Sequence, residues 1–234
     1  DVSNDIIKFF KTGTVTNPVN MPSIPKEKLA QVEPFFALAE KLGKFLIQVT
    51  EESIQQLNIS YAGEVANFDV RPLTANAIKG LLSTNHGSHV NDVNARYLAE
   101  RIGMQINEHK TTTAKGFTNL ITVEIITETE KHTVAGTLLN GLGARIVKVE
   151  GFVVDVIPNG NLLYIKNQDK PGSIGRVATK LAEKEINIAT MQVGRDEIGG
   201  SAVMMLGIDN KVTSDELAVV ATLENIDEVK AITL

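Results

Sequence analysis

The sequence contains no cysteine and no tryptophan, and aromatic residues make up 5% of it. Without cysteine there is no disulfide framework, thiol nucleophile, iron–sulfur cluster or Cys-ligated zinc. Long apolar runs are missing too. A stretch such as Leu120–Ile126 is broken by Glu124 and falls far short of the ~20 residues a membrane span needs. Nor is there an excess of positive charge: 23 Lys and Arg stand against 28 Asp and Glu, a formal charge of −5. That balance argues against sequence-independent nucleic-acid binding. The opening residues, Asp1-Val2-Ser3-Asn4-Asp5, lack the basic start and apolar stretch of a signal peptide. The expectation is a soluble cytoplasmic chain with neither a nucleic-acid nor a membrane partner.

Self-sufficient chemistry is also missing. Gly141-Leu142-Gly143-Ala144-Arg145-Ile146 opens like a dinucleotide fingerprint. It lacks the third glycine and the helix that should follow, so it reads as a hairpin turn. His86 and His89 are three residues apart, but Gly87 between them weakens a helix and no zincin-type Glu follows. A connecting loop is the reading there. His109 and His132 fall in strand-like runs beside charged residues and are expected on the surface. No Ser, His and acid set has a nucleophile-elbow context, and Tyr61, Tyr97 and Tyr164 form no stacking platform. No catalytic residue and no metal ligand is therefore expected.

What is present is organised in blocks. Val2, Ile6, Ile7, Phe9 and Phe10 mark a short apolar helical face, and Asn17–Pro25 carries three prolines in nine residues. Residues 1–25 thus read as the tail of another unit plus an extended linker. Helical periodicity runs from Lys28 to Leu42, with Gly43 as a C-cap. A strand follows over 53–65, then helices over 69–83 and 90–102. Strand-like runs at 104–113, 119–127, 132–139, 144–149 and 152–157 read as an antiparallel meander, with Asn140-Gly141 as a hairpin signal. After Pro158-Asn159-Gly160-Asn161 the order is β-α-β-β-α-β, the ferredoxin-like unit with two helices on one face of four antiparallel strands. The fold class is α+β, divided as 1–25, 26–158 and 159–234.

One loop carries the parts of a binding site. Asn167-Gln168-Asp169-Lys170-Pro171-Gly172 leaves a strand and enters a helix at Ser173-Ile174. Proline pre-sets φ at a helix start, and glycine admits a ligand to the backbone. Free amides and the positive end of the helix dipole favour a carboxylate. Asp169 offers a charge for an ammonium, and Asn167 and Asn187 suit a hydroxyl. Together these parts fit an amino-acid zwitterion. The alternative is that Asp169 and Ser173 merely cap the helix and that Asn187 is a turn residue.

Three stretches resemble a known family. Asn17–Ile24 resembles the segment that follows the catalytic domains of D-3-phosphoglycerate dehydrogenases. Val90–Ala95 with Ala99–Gly103 resembles that family's intervening domain. Lys170–Gly175 with Ile186–Ala189 resembles the ACT domain. The resemblance implies an allosteric substrate-binding domain over 26–158 and an ACT domain over 159–234. It further implies feedback control by L-serine at an ACT dimer interface, with a tetramer in the parent protein. Carried over, the serine contacts fall on Asn167, Asp169 and Asn187, with Pro171, Gly172, Ser173 and Ile174 shaping the loop. NAD would belong to the parent's catalytic part, with no cofactor in this stretch. In the intervening domain, Asn91, Asn94, Lys110, Lys115 and Arg145 are available to an anionic effector. Other assignments are a regulatory subunit of an L-serine dehydratase and an oligomerisation module that binds no metabolite.

Overall fold

The computed structural model describes residues 26–86 and 89–234, together with residues 2, 3 and 7. The expectations for the tail and linker fall almost wholly outside the described residues, as do residues 87 and 88 of the His86–His89 loop. The first element is helix α1, Lys26–Val49. Val32, Phe35, Leu38, Ala39, Leu42, Phe45, Leu46 and Val49 are all buried, at the i, i+3, i+4 spacing that lays one face on a core. Gly43 does not end this helix, which runs six residues further. Its lack of a side chain is used for contact instead. A Cβ on Gly43 would lie 2.0 Å from the carbonyl oxygen of Ala77 in α2 (Arg71–His86), and one on Gly80 would lie 2.0 Å from that of Glu40. Two glycines thus let the helix backbones approach closely.

These helices cover a six-stranded sheet: β1 (Gln56–Gly63), β2 (Gln105–Thr111), β3 (Asn119–Ile126), β4 (Lys131–Leu139), β5 (Gly143–Val149) and β6 (Phe152–Val156). The strand order is β2-β1-β3-β4-β5-β6. The meander holds from β3 to β6, but β2 lies parallel to β1. A parallel neighbour needs a crossover, supplied here by α2 and the short α3, Ala95–Arg101. The Asn140-Gly141 turn joins β4 to β5, with the Leu142 amide bonded to the Leu139 carbonyl and Gly141 and Gly143 at φ 75° and 76°. No helix follows, so this stretch does not fit a dinucleotide.

The C-terminal unit has the expected order: β7 (Asn161–Gln168), α4 (Ser173–Glu183), β8 (Ile188–Arg195), β9 (Ser201–Ile208), α5 (Ser214–Ala221) and β10 (Ile226–Thr233). Its antiparallel sheet runs β10-β7-β9-β8. On one face Leu163, Ile165, Met204 and Leu206 meet Val177 and Leu181 of α4 and Val220 of α5. The other face is also covered. Leu162, Tyr164, Val203, Met205 and Ile232 join the core built on α1. Phe45 meets the Tyr164 ring edge to face, with centroids 6.3 Å apart. Gln48 pairs with both backbone groups of Thr233, and the Lys230 ammonium lies 2.7 Å from Glu51. Among the described residues no helix is long and apolar enough to cross a membrane.

Candidate functional site

The β7–α4 loop is built as a ligand site would be. Gly172 occupies the N-cap position in the left-handed region, at φ 89°, and no side chain caps α4. The first turn's amides are therefore not satisfied by a cap. Neither Asp169 nor Ser173 caps the helix: Ser173 is the buried first helical residue, its hydroxyl donating to the Gln168 carbonyl at 3.3 Å. Asn167 faces the helices from the end of β7 and is 2% exposed. Its Nδ2 donates to the Gln168 carbonyl at 2.8 Å, while its Oδ1 is buried without a partner. A buried acceptor left open beside an uncapped helix end is costly unless something fills it. Pro171, Gly172 and Ile174 are exposed around it.

Asp169 is not the solitary charge the loop sequence implies. Its Oδ2 lies 2.8 Å from an Arg195 guanidinium nitrogen and accepts the Gly199 amide at 3.3 Å. The Arg195 hydrogen bond, with the Gly199 amide behind it, holds the Asp169 carboxyl below the usual carboxylate range. Sequence reasoning missed Arg195, which stands 26 residues away; the β7–β9–β8 pairing delivers it. Asn187 is not in this cluster. It precedes Ile188, which pairs with Ile208 opposite Asn161, while Arg195 pairs with Ala202 opposite Asn167. Six residues of strand, ~20 Å, separate Asn187 from the loop within one chain. Its Nδ2 donates to Asp209 at 2.7 Å.

The five residues considered for an anion do not converge. Lys110 on the edge strand β2 donates to the Phe68 carbonyl at 2.8 Å, and Lys115 sits in the following loop at φ 41°. Arg145 is four strands away on β5, ~19 Å across the sheet, paired with Asp155 at 3.2 Å. Asn91 and Asn94 bond to each other's backbone amides in the turn before α3. His109 is exposed as expected, but His132 is 8% exposed, with its ring nitrogens 3.3 Å from Glu150 and 3.1 Å from Glu130.

The fold defines a class: a helix-covered mixed sheet joined to a ferredoxin-like unit of the ACT type. Residues 31–150 match the family model for the D-3-phosphoglycerate dehydrogenase intervening domain, and residues 161–228 match that for the ACT domain. The chain belongs to the D-3-phosphoglycerate dehydrogenase family. It is 35% identical to D-3-phosphoglycerate dehydrogenase of Bacillus subtilis and 36% identical to that of Methanocaldococcus jannaschii, all of this chain aligning with 44% of each relative. A chloroplastic D-3-phosphoglycerate dehydrogenase of Arabidopsis thaliana is 29% identical over 97% of this chain and 42% of its own. The chain thus spans less than half the length of these curated relatives.

Proposed function

We propose that this chain is the regulatory part of a D-3-phosphoglycerate dehydrogenase that senses L-serine through paired ACT units. The observation that carries the reading is the buried, unpartnered Oδ1 of Asn167 beside an uncapped helix end and a carboxylate. The helix end takes the serine carboxylate, Asp169 the ammonium, and the Asn167 amide the hydroxyl. The nicotinamide cofactor and the chemistry would reside in the remainder of such a protein.

The position of Asn187 supports a two-subunit site. Among the described residues no strand pairs with the outer edge of β8, and open edges invite pairing. Antiparallel pairing of β8 with its copy, about a twofold axis, would bring Asn187 of the partner subunit to the Arg195 end, beside Asp169. Val193 of β8 and Ile198 of the β8–β9 turn are exposed apolar residues. Serine has about seven heavy atoms, so its binding is capped at ~10 kcal/mol and micromolar affinity needs ~8. Water must be kept from such a site, which a second subunit does.

Titration calorimetry with L-serine tests the reading. Heat is expected from the dimer, lost in Asp169→Ala. A folded dimer that gives no heat at millimolar serine is an oligomerisation module instead.

A further inference from the structure

Arg195 has no place in the reading above, yet it closes on the one carboxylate that the ammonium needs. The contact is an exposed one: the two side chains are 52% and 27% exposed, and the nearest atoms are 2.8 Å apart. Exposed ion pairs contribute little, so this one opens readily. Asp169 is not cast loose when it does, because the Gly199 amide also holds its Oδ2. Arg195 is the last residue of an edge strand, and its long side chain can swing over the loop without disturbing the sheet. Across the loop lie the uncapped start of α4 and the open Oδ1 of Asn167.

We propose that Arg195 and Asp169 are a self-complementary lock that an α-amino acid opens: the ligand's carboxylate, seated at the start of α4, also takes Arg195, its ammonium takes Asp169, and one internal ion pair becomes two. The exchange leaves the site's net charge unchanged, which selects a zwitterion over an anion or a cation of the same size. A simple carboxylic acid would leave Asp169 with the Gly199 amide alone, and a simple amine would leave Arg195 without an anion, so neither gains the second ion pair that a zwitterion makes. The planar guanidinium suits the carboxylate, which it grips through two parallel N–H groups as an ammonium cannot. In the free protein the same pair keeps both groups satisfied. Arg195 is thereby a specificity-determining residue of the site, and this rests on the amino-acid reading given above.

The test compares L-serine with L-serinamide, which keeps the ammonium and hydroxyl but has no carboxylate. Calorimetry is run on the chain and on Arg195→Gln and Arg195→Lys, at a pH where both amines are protonated. The chain is expected to prefer L-serine. Arg195→Gln should bind L-serine roughly tenfold or more weakly and L-serinamide as well as before or better, because Asp169 is then free. Arg195→Lys should recover part of the preference. If Arg195→Gln weakens both ligands equally, Arg195 only props Asp169 in place and the exchange is wrong. An unchanged preference also overturns it, leaving the serine site intact. L-serine that gives no heat with the unmodified chain overturns the sensor and the lock together.

Discussion

Asn167 is held in a costly state in the free protein, with a buried acceptor and no donor to meet it. Its Nδ2 bond to the Gln168 carbonyl is dispensable for that carbonyl, which also accepts from Ser173. Removing the amide therefore removes a penalty without orphaning its neighbour. Asn167→Leu is expected to leave the ligand-free chain as stable as before or up to ~1 kcal/mol more so, while abolishing serine heat. Denaturant unfolding beside calorimetry checks both halves, and a loss of more than ~1 kcal/mol would mean the amide is structural. Such an exchange of stability for binding is common at functional sites.

At the scale of elements, the crossing of α1 and α2 sets the tightest constraint. In an isolated helix, alanine is more favourable than glycine by ~1 kcal/mol. Here a Cβ at position 80 would meet the Glu40 carbonyl oxygen at 2.0 Å, against rigid backbone rather than a yielding side chain. Steric overlap outweighs propensity, and Gly80→Ala is expected to destabilise the chain by ~2 kcal/mol or more, read as a lower urea midpoint. Gly43→Ala should behave likewise. Glu40 of α1 pairs across the crossing with Lys79 of α2 at 3.0 Å, and within its own helix with Lys44 at 2.9 Å. Burial opposes the Glu40 charge, but its bonds to Lys44 and Lys79 outweigh this and hold its carboxyl below the usual range.

For the molecule as a whole, the seam between the two sheets holds an acid–base cluster. His132 sits between Glu150 and Glu130; across the seam β10 brings Glu228 and Lys230, β7 brings Lys166, and Glu52 lies three residues past the end of α1. The Glu150 bond, against the opposing effect of burial, raises the His132 imidazole above its ordinary value, with Glu130 assisting. A raised histidine stabilises fully below its unfolded value, ~6.5, and that contribution is lost as pH rises through the folded value. Burial raises the Glu228 carboxyl, with the same sign: ionising it as pH rises costs stability. Glu40 and other lowered carboxylates lose theirs only in more acidic solution. His132→Gln is therefore expected to cost ~1 kcal/mol near pH 5.5 and progressively less toward pH 8. Urea unfolding across that range measures it, and a gap independent of pH would refute the assignment. Because Tyr164, Met205 and Ile232 share one core with α1, thermal unfolding is expected to show one transition for both sheets. Two well-separated transitions would contradict that.

Local sequence determined a good deal on its own. Period-two and period-3.6 patterns placed most strands and helices, and the β-α-β-β-α-β order needed only short-range turns and caps. The Pro171-Gly172 entry to α4 marked the start of that helix, because proline and glycine act on the backbone where they stand. Gly43 misled, since a glycine that ends a helix and one that admits a neighbouring backbone look alike until the neighbour is known. The ferredoxin-like order placed two helices on one face of the second sheet, but not α1 on the other, where Leu162, Tyr164, Val203 and Met205 are buried. Only tertiary structure put Arg195 on Asp169, buried His132 between two glutamates, set β2 parallel to β1, and parted Asn187 from the loop it was grouped with. Each depends on strand order and register, which arise from packing between distant segments, and no local pattern encodes which distant segment a strand will meet.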